Sequence, residues 1–265
     1  MALRDEVDQD WLIMVSFSIG GTVGVETTGR PLWFTPRFDL PGQQLIVAGY
    51  ADAREREEQL ADTFGSMQWL WSEDDFLRFD KDSLELCSAT FFLPFRSAPY
   101  EAEHGAAAQP PSVPAGLRAN EPSEFELLQT TVFRCAPDGA ELVCLSAPNL
   151  LDRQPDARIG IAPDLELLVH EGALTGWRLL DPARCLTSGF TTPDTDSPPS
   201  PTTRRHLAEC LRLVSAPVVD SVMEQDADAW RDLLALKRAV REQHDDRPRA
   251  DVVQAVIERL VEDNE

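Results

Sequence analysis

Up to Leu180 the sequence is a succession of short apolar runs broken by turn-forming residues, and from Leu207 onward it carries apolar residues at helical spacing. This segregation restricts the folds open to the chain. Strands that follow one another directly close as antiparallel hairpins, because a parallel pair needs a crossover of about a dozen residues or more, usually a helix. The expected architecture is α+β, with antiparallel hairpins in an N-terminal and a middle block and a helical C-terminal block. A doubly wound parallel sheet does not fit this order.

Trp11 to Ile19, Leu32-Trp33-Phe34 and Gln44 to Tyr50 read as strands between Gly and Pro punctuation. Asp52 to Trp71 reads as a helix, on the spacing of Leu60, Phe64, Met67 and Trp71. Phe76 to Phe79 and Leu84 to Leu93 flank the turn Asp80-Lys81-Asp82-Ser83, and Leu127 to Cys135 and Ala140 to Leu145 flank Pro137-Asp138-Gly139. Leu165 to His170 and Trp177 to Leu180 are shorter apolar segments. The C-terminal helices are expected at Leu207 to Val214, Val218 to Arg241 and Pro248 to Glu262, the last with a stripe of Val252, Val253, Val256, Ile257 and Leu260.

Two stretches lack a periodic apolar face and set the organisation. An Ala/Pro-rich linker or loop at 103–123 separates an α+β block, 1–102, from a β-rich block, 124–192; a Pro/Ser/Thr loop at 193–202 leads into the helical block, 203–265.

The chain has 46 acidic residues against 24 Lys plus Arg, a formal net charge of −22, spread over all three blocks rather than gathered in a tail. A surface of this sign repels polyanions, so nucleic acid and anionic membrane are disfavoured partners and a basic protein is a favoured one. The stretch from Trp11 to Ile19 is too short to span a bilayer, and Arg4-Asp5-Glu6 is unlike a secretory start. A cytoplasmic location is the expectation.

Cys87, Cys135, Cys144, Cys185 and Cys210 are odd in number and form no CxxC, which argues against a disulfide framework. With the turn at 136–139, Cys135 faces Ala140 and Cys144 faces Thr131, so the two are not expected to bond. His206 and Cys210 share a helix face at the spacing of a metal pair, but two residues do not make a four-ligand site. Asp80 with Asp82, Asp194 with Asp196 and Asp226 with Asp228 lack the remaining ligands of a calcium loop and are explained by a turn, a solvated loop and a helix start respectively. Gly20-Gly21-Thr22-Val23-Gly24 lacks the lysine and hydroxyl of a phosphate loop and reads as a hairpin turn. No GxSxG or SxxK motif is present. No metal, cofactor or catalytic residue is assigned.

The remaining candidate is a surface. Trp69 and Trp71 are two apart, so on a helix they cannot both face one core, and Glu73, Asp74 and Asp75 follow directly. An exposed Trp with an acidic rim is the composition of an interface anchor. The expected function is a non-enzymatic acidic binding protein, an immunity or antitoxin-like inhibitor of a basic partner; many bacterial immunity proteins share its acidity, size and α+β hairpins, although no motif carries that analogy. The alternatives are an enzyme acting on a small or cationic substrate in a cleft, and an adaptor subunit that docks through its C-terminal helices. An inhibitor should present a flat or convex acidic patch, an enzyme a cleft gathering titratable groups.

The charge gives a first prediction: the protein does not retard DNA or RNA in a gel at physiological salt, since no basic run longer than Arg204-Arg205 is available to neutralise phosphates. Micromolar, salt-sensitive retardation is the outcome that contradicts it.

Overall fold

The computed structural model of the chain describes residues 14–66, 74–100 and 109–264. They form an α+β fold of two curled, mixed sheets with helices gathered in the C-terminal part. A nine-stranded sheet contains β1 (Ser16–Ile19), β2 (Val23–Thr28), β8 (Ser112–Pro114), β9 (Gly116–Ala119), β10 (Val132–Cys135), β11 (Glu141–Leu145), β12 (Ala157–Ala162), β13 (Leu165–His170) and β14 (Ala173–Leu180). A six-stranded sheet contains β3 (Arg37–Asp39), β4 (Gln44–Val47), β5 (Thr63–Gly65), β6 (Phe76–Asp80), β7 (Leu86–Phe92) and β15 (Leu186–Thr187).

The first sheet runs β8-β12-β13-β14-β1-β2-β9, with β11 also on β14 and β10 on β11; the second runs β15-β3-β4-β7-β6-β5. Hairpins dominate, but β1 on β14, β8 on β12 and β15 on β3 are parallel. These pairs cross the block boundaries drawn from composition. β1 and β2 belong to the sheet of the middle segment, and β15 returns to the sheet of the N-terminal segment. The described part of the Ala/Pro-rich stretch contributes β8 and β9, so it is sheet as well as connection.

Alternation along the strands builds the core. Phe17, Val25, Leu117, Ile159, Leu167 and Trp177 of one sheet and Leu45, Leu77 and Phe91 of the other belong to a single buried cluster. The Phe91 and Trp177 rings, 5.6 Å apart, join the two layers. At the β1–β2 turn Gly20 and Gly21 take φ of 60° and 72°. A Cβ on Gly20 would stand 2.0 Å from the Glu126 carbonyl oxygen. Both facts require glycine and match the hairpin-turn reading.

Several sequence expectations are corrected. Leu32-Trp33-Phe34 is not a strand: Pro31 and Pro36 flank it, and Leu32 N–H reaches the Ile161 carbonyl while Trp33 points to solvent. The helix begun at Ala53 stops at Asp62, and Phe64 enters β5, where it pairs with Phe79. The helix expected from Leu207 begins at Pro201, with the Ser200 hydroxyl accepting from Thr203 N–H at 3.0 Å. The stretch Val218 to Arg241 is two helices. Gln225 adopts φ of 55° and Asp226 caps the second.

The C-terminal helices are thus α2 (Pro201–Leu213), α3 (Val218–Met223), α4 (Ala227–Glu242) and α5 (Arg247–Glu262), preceded in the chain by α1 (Ala53–Asp62). Leu207 and Leu211, Leu233, Leu236 and Val240, and Val253, Ile257 and Val261 recur three or four apart and turn one face of each long helix into the core. Cys135 pairs with Leu142 and Cys144 with Phe133, two residues off the expected register, and neither thiol is bonded.

Phe91, 2% exposed, supplies one side of the contact between layers. Phe91→Ala is expected to cost about 3–5 kcal/mol in denaturant unfolding. A loss below about 1 kcal/mol is the result that removes this contact from its central place.

Candidate functional site

With 46 acidic and 24 basic side chains, even complete one-to-one pairing leaves an excess of 22 carboxylates. Many of the arginines are already committed: Arg118 to Glu85, Arg134 to Asp152, Arg178 to Glu141, Arg204 to Asp181, Arg212 to Glu209 and Arg249 to Asp246. Most of the surplus negative charge has no basic partner within the chain, and α1 presents a group of it on a helix without fully buried residues. This helix buries no residue. Its surface carries Glu55, Glu57, Glu58 and Asp62, with Asp52 as cap, against Arg54 and Arg56.

A helix with no fully buried residue, only a half-buried strip of Glu55, Arg56, Gln59 and Leu60, gains little hydrophobic hold. Polar contacts hold α1 at both ends instead. At its start, Asp52 Oδ1 accepts from Glu55 N–H at 2.9 Å and Glu55 Oε2 from Ala51 N–H at 2.7 Å. At its end, Lys81 Nζ donates to the Ala61 carbonyl at 2.6 Å, and Arg78 Nη2 to the Leu60 and Thr63 carbonyls at 3.3 and 2.7 Å. These cations satisfy carbonyls that the helix leaves without partners. Midway, the Arg56 guanidinium lies 5.2 Å from the centre of the Phe76 ring.

Trp33, 81% exposed, stands on Phe34 with ring centres 4.3 Å apart. Phe34 in turn lies over Gly49, where an added Cβ would come within 3.0 Å of the ring. Gly49 is three residues ahead of Asp52, so the Trp33–Phe34 pair packs on the segment that leads into the acidic helix.

Of the five residues expected to form the partner surface, Trp69, Trp71 and Glu73 lie outside the described residues. Asp74 is half-buried at the entrance to β6, two residues before the ring that carries Arg56. Asp75 departs from its expected place on an acidic rim. It is 4% exposed, and its carboxylate accepts from Phe92 N–H at 2.6 Å and from the Thr130 hydroxyl at 3.2 Å. Burial pushes its pKa from 3.8 up to about 7, against the pull of those hydrogen bonds. The other paired carboxylates do as turn and cap chemistry requires: Asp80 Oδ1 accepts from Asp82 and Ser83 N–H, Asp194 from Asp196, and Asp226 from Asp228 and Ala229. His206 turns its Nδ1 to Gln243 Oε1 at 2.7 Å, while Cys210 is fully buried in the core.

A second feature was not legible as a motif. On the face of the nine-stranded sheet turned away from the core, charges alternate across the strands. Arg158 Nε stands 3.6 Å and Arg178 Nη1 3.3 Å from Glu166 Oε2, and Arg178 Nη2 is 2.6 Å from Glu141 Oε2. The segment from Pro148 to Pro155 closes over part of this face and leaves a pocket of about 90 Å³, lined by Arg134, Arg153, Arg178, Glu141 and His170 among others. Single charges inside the runs Leu165-Glu166-Leu167 and Trp177-Arg178-Leu179 are the sequence signal for it, since strand alternation sends them to the outer face.

His170 is 4% exposed, with Nδ1 2.6 Å from the Thr175 hydroxyl. That hydroxyl donates to the Leu168 carbonyl at 3.1 Å, so Nδ1 carries the ring hydrogen and Nε2 keeps a lone pair. Burial lowers the His170 pKa, opposed by the Arg153 backbone and the Asp156 and Glu171 carboxylates. Arg134 Nε is buried without a hydrogen-bond partner, and His170 Nε2 without one of full hydrogen-bond geometry, although the Arg153 backbone interacts with the ring. An unpartnered buried atom costs about 1–3 kcal/mol.

No protein-family model, curated protein or solved structure matches the chain. Among the described residues, no helix is long and apolar enough to cross a membrane.

The buried Asp75 generates a pH prediction. Because its folded pKa is raised, its contribution is fully present below the unfolded value of 3.8 and is lost as pH rises through about 7. Asp75→Asn keeps the acceptor for Phe92 N–H and abolishes the ionised form. It is expected to raise stability relative to wild type by about 2 kcal/mol more at pH 8 than at pH 5. Thermal or urea unfolding across that range measures the difference, and a flat difference contradicts the assignment.

Proposed function

We propose that this protein is a non-enzymatic binding protein that recognises a basic protein partner, in the manner of an immunity or antitoxin-like inhibitor, with α1 as its acidic recognition element and Trp33 beside it as an aromatic anchor. The observation that carries the reading is that α1 buries no residue yet is fixed at both ends. Holding an exposed acidic helix in place contributes nothing to the core. It does contribute preorganisation, because the carboxylates need not be ordered when a partner arrives.

The two kinds of group have separate roles. Peripheral carboxylates act through long-range attraction and so on the association rate, whereas a desolvated aromatic acts on dissociation. Asp74 extends the acidic surface beyond α1, and Trp69, Trp71 and Glu73 remain part of the proposal.

Affinity capture from the source organism supplies the partner, and kinetics measured with that partner test the surface. Reversing Glu57, Glu58 and Asp62 to Lys is expected to slow association about tenfold or more at low salt and to flatten its salt dependence. Trp33→Ala is expected to leave association nearly unchanged and to speed dissociation about tenfold or more. Unchanged rates in both variants, or no captured protein at all, overturn the reading in favour of an enzyme.

A further inference from the structure

We propose that residues 127–130 form a strap across the ends of β6 and β7, held down while Asp75 is protonated and opening locally once Asp75 is ionised. This device acts within one chain, so it does not rest on recognition of a basic protein.

The strap runs between two fixed points. Before it, Phe125 N–H reaches the Gly65 carbonyl at 3.3 Å; after it, Thr131 N–H and Oγ1 reach the Leu145 and Ser146 carbonyls, each at 2.8 Å. Between these points the Glu126 backbone rests on Gly20, and none of residues 126–130 is fully buried or part of a strand. Leu127 packs half-buried on the core, and Leu128 is exposed. Asp75 ties the strap down. Its N–H donates to Gln129 Oε1 at 3.0 Å, its Oδ2 accepts from the Thr130 hydroxyl at 3.2 Å, and its Oδ1 accepts from Phe92 N–H at 2.6 Å. One residue thereby joins the strap to the start of β6 and the end of β7.

The buried carboxyl has no cation to balance it among the described groups that act on it. Asp74, beside it in the chain, is a like charge; β11 contributes the Cys144 thiol, which burial keeps protonated; and the strap and β7 offer the uncharged Gln129, Thr130 and Phe92. Phe92 N–H and Thr130 favour the ionised form, but burial outweighs them and raises the pKa from 3.8 to about 7. In an open strap the carboxyl is hydrated and returns toward its ordinary value. Opening therefore releases a proton between these two values. Closure is strongest below 3.8 and weakens about tenfold per pH unit until pH passes about 7. A strap without a fully buried residue is the kind of segment that opens by itself, and its opening uncovers Leu127 and the ends of β6 and β7.

Amide hydrogen exchange in the full chain, followed by NMR from pH 5 to pH 8 and corrected for intrinsic exchange, tests the strap. Phe92 and Asp75 N–H are the reporters, since the tie protects both; Leu180 N–H, bonded to the Asp164 carbonyl at 2.8 Å, reports on the nine-stranded sheet. Protection of the two reporters is expected to fall about fiftyfold between pH 5 and pH 7 and to level off above it. It should stay well below that of Leu180 and be insensitive to dilute urea, the mark of an opening that exposes little surface. Asp75→Asn should keep the reporters protected and remove the pH dependence. Equal protection and equal urea dependence in the reporters and Leu180 mean that Asp75 is uncovered by global unfolding alone and overturn the proposal, as does reporter protection that is flat from pH 5 to pH 7. Both outcomes are read from the wild-type chain, so a variant that does not fold leaves the proposal testable. Charge reversal in α1, which tests the partner surface, should leave the reporters' exchange unchanged.

Discussion

The contact between the two sheets is the interaction on which everything else rests. Neither layer has an inner face that water could tolerate: Trp177, Leu167 and Ile159 on one side and Phe91, Leu77 and Leu45 on the other are buried only because the layers meet. Helices α2, α4 and α5 then add their apolar stripes to the same core rather than forming one of their own. The acidic helix, the exposed indole and the polar pocket all occupy outer positions that this core holds still. A chain with so large a charge imbalance pays for self-repulsion somewhere, and a core shared by both sheets and the helices is what offsets it.

The basic side chains show how the charge is managed. Arginine far outnumbers lysine, and the buried arginines act as cross-links between backbone segments. Arg37 donates to the carbonyls of Ala48, Tyr50 and Phe190, and Arg78 to those of Leu60, Thr63 and Ser66. A guanidinium offers several donors in a fixed plane and is less strongly hydrated than an ammonium, so one side chain can satisfy carbonyls from separate segments. These cations are thereby withdrawn from the surface, whereas on α1 itself Arg54 pairs with Glu58 and leaves Glu57 and Asp62 among the exposed carboxylates.

Periodicity made the fold class legible, and topology stayed hidden. The apolar runs from Gln44 and from Phe76, read as strands, and the three-four spacing at Val253, Ile257 and Val261 correspond to real elements, whereas Leu165 to His170 read only as an apolar segment. Gly20-Gly21 was legible as a turn because its residues admit left-handed backbone. The end of α1 was not, because Leu60 and Phe64 keep helical spacing across a helix-to-strand junction that Thr63 and Gly65 create. The strands β3, β8 and β15 are too short for alternation to register. Asp75 shows the limit most clearly: next to Asp74 it reads as surface acid, and only the approach of Phe92 and Thr130 from elsewhere in the chain makes it an interior group. The polar pocket has the same origin, its members scattered from Arg134 to Arg178 and gathered by strand pairing.

The pairing of β1 with β14, Ser18 against Ala173, has a consequence for how the chain is made. During synthesis the β1–β2 hairpin can take on β9 along β2 well before β14 emerges, so it is the outer edge of β1 that waits for its partner. At about 5–20 residues per second that wait lasts on the order of ten seconds, during which the edge of β1 lacks the strand it pairs with in the finished fold. The nascent chain therefore carries, for that interval, an unpaired strand edge that other chains could extend.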